Sequence, residues 1–234
     1  MKILFGLILC LIFQGIFLES SFALDDSNVR EFLENRVNQW PELYLPNFKL
    51  SDVSKDLVYP KWFEGNWLVT SQDIVNDSEP VIYKVNFFKN DSDLVVGNRA
   101  KNSESIGKAI FGDTLIKVVN DPQSINNQIT YLKDDFYIDS RITGRSQIQD
   151  NDIFFADELV IQTAHKPGAS RINQVETISK FQKCSEEILE VNNSIKPSIC
   201  GVQYVASYGS KVGDPSIRAI KTNKYKLTFE FIES

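Results

Sequence analysis

Histidine is almost missing from this chain of 234 residues: His165 stands alone, beside one methionine and three cysteines. A zinc centre ordinarily draws on several imidazole or thiolate ligands, and a serine nucleophile needs a neighbouring base. No metal site and no catalytic residue is therefore expected. His165 precedes Lys166-Pro167-Gly168 and reads as a surface loop residue. There is no Gly-x-Ser-x-Gly elbow. Gly107 and Gly112 flank a helix candidate without the companion glycines of a phosphate loop, and no cofactor is expected. Runs of lysine or arginine are also missing. With a net charge of −6, the chain lacks the electrostatic footprint of a nucleic-acid or anionic-lipid binder.

Long apolar runs are confined to the beginning. Residues 1–23 read as a secretory signal peptide: Lys2 supplies the positive end, Ile3 to Leu18 is apolar apart from Gln14 and two glycines, and Ser21-Phe22-Ala23 offers small residues at a cleavage site. No transmembrane span is expected after cleavage, because no later segment is long and apolar enough. Cys10 leaves with the signal. Cys184 and Cys200 remain, 16 positions apart, and in an oxidising compartment they are a disulfide candidate. Two buried free thiols are the alternative.

The remainder is rich in short alternating segments. Asp26 or Ser27 can cap a helix whose apolar face holds Val29, Phe32, Leu33 and Val37. Pro41 and Pro46 end it and open an extended lead to Val58, decorated by Trp40, Leu43, Tyr44, Leu45 and Phe48. A run this apolar is expected to wrap the body of the protein rather than face water. Tyr59-Pro60-Lys61-Trp62-Phe63-Glu64-Gly65-Asn66-Trp67 then reads as an aromatic plug leading into a first strand. Pro60 fixes φ, and Gly65 permits the bend.

From Trp67 onward the period is two. Trp67 and Val69 share a face, as do Val81, Tyr83, Val85 and Phe87, and Tyr225, Leu227, Phe229 and Phe231. Further strands are expected over Thr114–Val119, Gln128–Leu132, Phe136–Thr143, Ile153–Gln162, Gln174–Gln182, Ile188–Val191 and Cys200–Tyr208. Turn clusters separate them, among them Asn126-Asn127, Asp134-Asp135 and Lys166-Pro167-Gly168. One interior helix is expected over Ser103–Phe111, capped by Asn102 or Ser103 and stopped at Gly112. Apart from it no helix falls between successive strands, which excludes a βαβ layout. The expected fold is all-β: an antiparallel barrel with an N-terminal helix and one short interior helix. Its organisation is residues 1–23 as signal, 24–58 as helix and lead, and 59–234 as barrel.

Gly65-x-Trp67 at a strand opening resembles the start of lipocalin-like (calycin) barrels. Asn35-Arg36, Trp40-Pro41, Leu45-Pro46, Asp56-Leu57, Tyr59-Pro60 and Trp62-Phe63 extend the likeness. So do Arg99-Ala100-x-Asn102-x-x-Ser105-Ile106, Asp121-Pro122, Asn127-Gln128-Ile129-Thr130, Thr143-Gly144-Arg145 and Val175-Glu176-Thr177. Together they resemble a domain family of unknown function from cyanobacteria and plant plastids. That resemblance implies a calycin-like fold and export to the thylakoid lumen or periplasm, in a photosynthetic setting; it implies no activity. Lipocalins close the barrel with a basic residue across the tryptophan, and here the last strand offers Lys224 or Lys226.

A barrel of this size can hold one small ligand between alternate residues of its walls. The residues expected to bind it are Trp67, Tyr83 and Phe229 from the aromatic walls, with Arg99, Arg141, Arg145 and Glu176 as a polar floor. Tyr137, Asp139 and Arg141 share one face of their strand. If that face points inward, the charges must pair; if outward, they lie in water. Asp157-Glu158 with Glu176 is a weaker pattern, an acid pair. Three readings follow: a carrier of a small hydrophobic or pigment-like ligand, an auxiliary factor docking on photosynthetic membrane protein complexes through the Trp40–Trp62 lead, or a chromophore- or carotenoid-modifying enzyme.

Overall fold

The structure is a computed structural model that describes residues 26–48, 53–76, 78–150, 152–184, 198–212, 214 and 216–233. The signal candidate and the strand expected at Ile188–Val191 lie outside the described residues. Helix α1 (Asp26–Gln39) is followed by strands β1 (Val58–Tyr59), β2 (Gly65–Asp73), β3 (Val81–Lys89) and β4 (Val95–Gly97). Helix α2 (Arg99–Phe111) comes next, then β5 (Leu115–Asp121), β6 (Ser124–Leu132), β7 (Phe136–Gln149), β8 (Ile153–Lys166) and β9 (Ala169–Lys183). Strands β10 (Ser198–Ser207) and β11 (Lys221–Ile232) complete the described set.

The fold is all-β and barrel-like. The 11 strands form one sheet in the order β1-β4-β3-β2-β11-β10-β9-β8-β7-β6-β5, antiparallel at every pairing and curled on itself. The first strand curls round to meet the seventh. A glutamine amide bridges them: Gln147 Nε2 donates to the Val58 carbonyl at 3.1 Å, and Val58 N–H donates to Gln147 Oε1 at 3.2 Å. A side chain thus satisfies edge groups that no strand covers.

Strict alternation sorts the side chains into two cores. Trp67, Val69, Val85, Phe87, Phe154, Phe181, Leu227 and Phe229 fill the concave side. At its base sits Phe63, fully buried, with ring centroids of Tyr59, Phe87, Phe154, Phe181 and Phe229 at 4.9 to 5.9 Å. Burying a ring of that size contributes about 2–3 kcal/mol. On the convex side, Leu33 of α1 and Leu43 and Leu45 of the lead pack against Ile148, Phe155, Leu159, Ile178 and Tyr208. The lead therefore clads the sheet, and Leu45 N–H reaches the Ile217 carbonyl at 2.9 Å. A disulfide joins Cys184 to Cys200, their Cα atoms 5.0 Å apart.

Several local expectations need correction. Helix α2 begins at Arg99, not at Ser103. Asn102 does not cap it: its side chain imitates a neighbouring strand, accepting from Asn86 N–H at 2.8 Å and donating to the Asn86 carbonyl at 2.9 Å. Ser103 Oγ donates to Gln128 Oε1 of β6 at 2.9 Å. The helix does stop at Gly112, with φ of 55°. Asn126-Asn127 is not a turn but part of β6, where Asn126 is buried and donates to the Val53 and Lys55 carbonyls. His165 belongs to β8 and stacks on Tyr137 with centroids 4.4 Å apart. Among the described residues, no lysine lies over Trp67. Phe231 meets its face edge-on at 5.4 Å, and its indole N–H donates to the Phe63 carbonyl at 2.7 Å. Lys224 lies instead over Trp40 and Tyr204, on the other side of the sheet.

Candidate functional site

Inside the curl lies a cavity of about 510 Å³, within the range of small-molecule sites. The registers grade it from one end to the other. Phe154, Phe181 and Phe229 are paired or neighbouring positions at the plugged end, where Tyr59 and Phe63 complete an aromatic floor. Further along β8 the inward residues become Glu158, Val160 and Gln162, and β9 and β10 add Thr177, Ser179 and Gln203. Tyr83 of β3, in register with Val69 and through it with Phe229, also lines the cavity. Asn102, Ser103 and Ile106 make α2 one of the walls.

The polar wall is built around Glu158. Arg145, its partner across the β7–β8 ladder, donates to Glu158 Oε1 from Nε at 2.9 Å and from Nη2 at 2.6 Å. Its remaining donors go to the Lys55 carbonyl at 2.5 Å and Asn126 Oδ1 at 2.8 Å. Arg99, at the first position of α2, donates to Asp56 Oδ1 at 3.1 Å and stands 4.0 Å from the same Glu158 oxygen. Glu158 Oε2 has no donor among the described residues. Burial, together with the Glu158 charge, pushes the Tyr59 hydroxyl far up, and burial pushes Tyr83 up to about 12, so both phenols stay protonated at any ordinary pH.

Of the residues expected to bind, Tyr83 and Phe229 line the cavity, and Trp67 lies buried in the same concave core. Arg145 and Arg99 stand behind the wall as partners of Glu158. Arg141 is exposed, as are Tyr137 and Asp139 on the same face of β7. Glu176 faces the convex side, where Arg36 of α1 grips it through Nε at 2.8 Å and Nη2 at 2.7 Å. Asp157, one residue from Glu158, points the same way as Glu176. The expected floor is thus divided between two faces. Sequence reasoning passed over Gln162, Thr177, Ser179 and Gln203. The signal that could have found them was the inward register of β8, Phe154-Ala156-Glu158-Val160-Gln162.

Among the described residues, Glu158 is the sole charged one lining the cavity, and no histidine joins it. Among the described residues, no group of three or more histidine, cysteine or acidic side chains could hold a metal ion. What the arrangement can do is enclose an apolar body against rings and meet a polar group at a paired carboxylate.

These features define a class: a barrel-like antiparallel β protein with an internal, amphipathic cavity. Within that class the chain belongs to the family described as Domain of unknown function (DUF6816), matched over residues 72–232. No curated protein and no solved structure matches the chain. No helix among the described residues is long and apolar enough to cross a membrane.

Proposed function

We propose that this protein is a carrier, holding one small hydrophobic or pigment-like molecule inside its curled sheet, as lipocalin-like barrels do. The observation that carries the reading is the cavity of about 510 Å³ floored by Tyr59, Phe63, Phe154, Phe181 and Phe229. A domain that needed those rings purely as core would pack them to the density of an organic crystal. Here they border open space. Docking on a membrane complex through the lead draws less support, because Leu43 and Leu45 are already buried against the sheet. The apolar N-terminal stretch favours an exported carrier of the thylakoid lumen or periplasm, with residues 1–23 removed.

The test is extraction of the purified protein with organic solvent, followed by mass and absorption spectra, with titration of a fluorescent apolar probe alongside. A co-purifying small molecule, or saturable probe binding at one site per chain, is expected. A ligand-free protein that takes up no probe would end the carrier reading. N-terminal sequencing of the mature protein tests export: a start at Leu24 is expected, and an intact Met1 contradicts it.

A further inference from the structure

The same cavity says something about the head of its ligand; the inference rests on the carrier reading above. Glu158 offers two oxygens, and the protein uses one. Arg145 places both of its bonds, at 2.9 and 2.6 Å, on Oε1, and Arg99 approaches that oxygen too. Oε2 is left without a donor among the described residues, on a side chain that lines the cavity. Gln203 donates one of its two amide N–H groups to Ser179 Oγ at 3.0 Å, and its carbonyl oxygen is a further acceptor on a residue that lines the same cavity. The Glu158 side chain is 21% exposed, so water reaches this wall in the empty cavity, and a ligand that displaces that water must supply an O–H or N–H in its place.

Charge balance narrows the choice. Behind the wall, Arg99 and Arg145 face Asp56 and Glu158, two positive groups against two negative ones. An anionic head would add a third negative charge beside Glu158; the guanidinium donor still unpaired, Arg99 Nε, is buried on a residue that does not line the cavity. A cationic head would meet a carboxylate that two arginines already compensate. Each ionic head pays desolvation without a free counter-charge. The cavity's volume corresponds to about 17 water molecules at the liquid's roughly 30 Å³ each, enough for a chain or ring system of similar atom count.

We infer that the ligand is an uncharged amphipathic molecule: an apolar or aromatic body seated on Phe63, Phe154 and Phe181, and a hydroxyl-type donor head bonded to Glu158 Oε2.

The experiment uses the unaltered chain, stripped of bound lipid and loaded with N-phenyl-1-naphthylamine. The competitors are dodecanol, its methyl ether (which accepts but cannot donate), dodecanoate and dodecylammonium. Dodecanol is expected to displace the probe at a concentration lower than each of the others by roughly tenfold, the size of one hydrogen bond to a charged acceptor. Parity between dodecanol and its ether would overturn the donor assignment. Parity with dodecanoate or dodecylammonium would overturn the neutral head. In either case the carrier reading survives, because probe binding is retained; no uptake of probe at all ends both. Glu158→Gln should shrink the advantage of the alcohol over the ether to about twofold. If that variant does not fold by circular dichroism, the series on the unaltered protein still decides.

Discussion

Replacing Asp157 by asparagine should change how stability depends on pH. Asp157 lies on the convex side of β8, beneath α1, fully buried. Neither of its oxygens receives a hydrogen bond. The nearby guanidinium of Arg36 is committed to Glu176, and the Tyr208 hydroxyl also donates to Glu176 Oε2. Two carboxyls thus share one cation. Burial, and then the Glu176 charge, hold Asp157 well above the usual carboxylate range, with Arg36 easing the shift in part. Asp157 therefore keeps its proton in the fold, and as an acid it can donate to Glu176.

The unfolded chain releases that proton near pH 3.9. Above that pH the native state binds one proton more than the unfolded state. The stabilisation is full below about pH 4 and is lost at about 1.4 kcal/mol per pH unit as pH rises towards the folded-state midpoint. Asp157→Asn cannot ionise in either state and loses this slope. Urea unfolding of both proteins in half-unit steps from about pH 4 to 7 gives the difference directly. It should move in the variant's favour by about 1.4 kcal/mol per unit, then level off. Parallel curves would refute the reasoning, because they would mean that Asp157 titrates alike in both states.

Other outcomes follow from single contacts. Gly65→Ala should destabilise by about 2 kcal/mol in urea, since Gly65 sits at φ of 129° and a Cβ there would lie 2.6 Å from the Phe231 ring; an unchanged midpoint contradicts the hinge. Reducing the Cys184–Cys200 bond, which spans 16 positions, should cost about 3 kcal/mol by loop entropy, read as a lower urea midpoint in reductant. Asp73 accepts from Val75 N–H, from the N–H and side chain of Asn76 and from Asn223. Burial opposes its ionisation, but these bonds prevail and hold it at about 2. Its contribution, about 1–2 kcal/mol, is present above pH 4 and lost as pH falls through about 2, so Asp73→Asn should flatten the acid limb of the stability curve.

Strands were legible wherever one face is apolar and the other polar. Lys224 to Phe231 alternates without exception and is strand throughout. The misreadings arose where a side chain bonds to something distant in sequence. Asn126-Asn127 looks like a turn because asparagine readily bonds its own backbone. In the fold those bonds go to Val53 and Lys55, across 73 and 71 positions. Asn102 looks like a cap for the same reason, yet serves Asn86 on a strand. Lys224 and Lys226 were the cations on offer for closing the barrel, and packing placed Phe231 on Trp67 instead.

The candidate site was half legible. Tyr83 and Phe229 could be placed on inward faces from period two alone. Glu158 and Glu176 could not be told apart, because β8 and β9 both carry buried residues on both faces. When the convex side is also covered, polarity no longer marks which way a side chain points. Residue order alone determined an antiparallel β chain with an aromatic plug at its head, since alternation and turn chemistry are local. It took the curl of the sheet to decide that Glu158 meets Arg145 inside and Glu176 meets Arg36 outside. Those pairings depend on register between strands and on where α1 lands, and both are set by long-range packing.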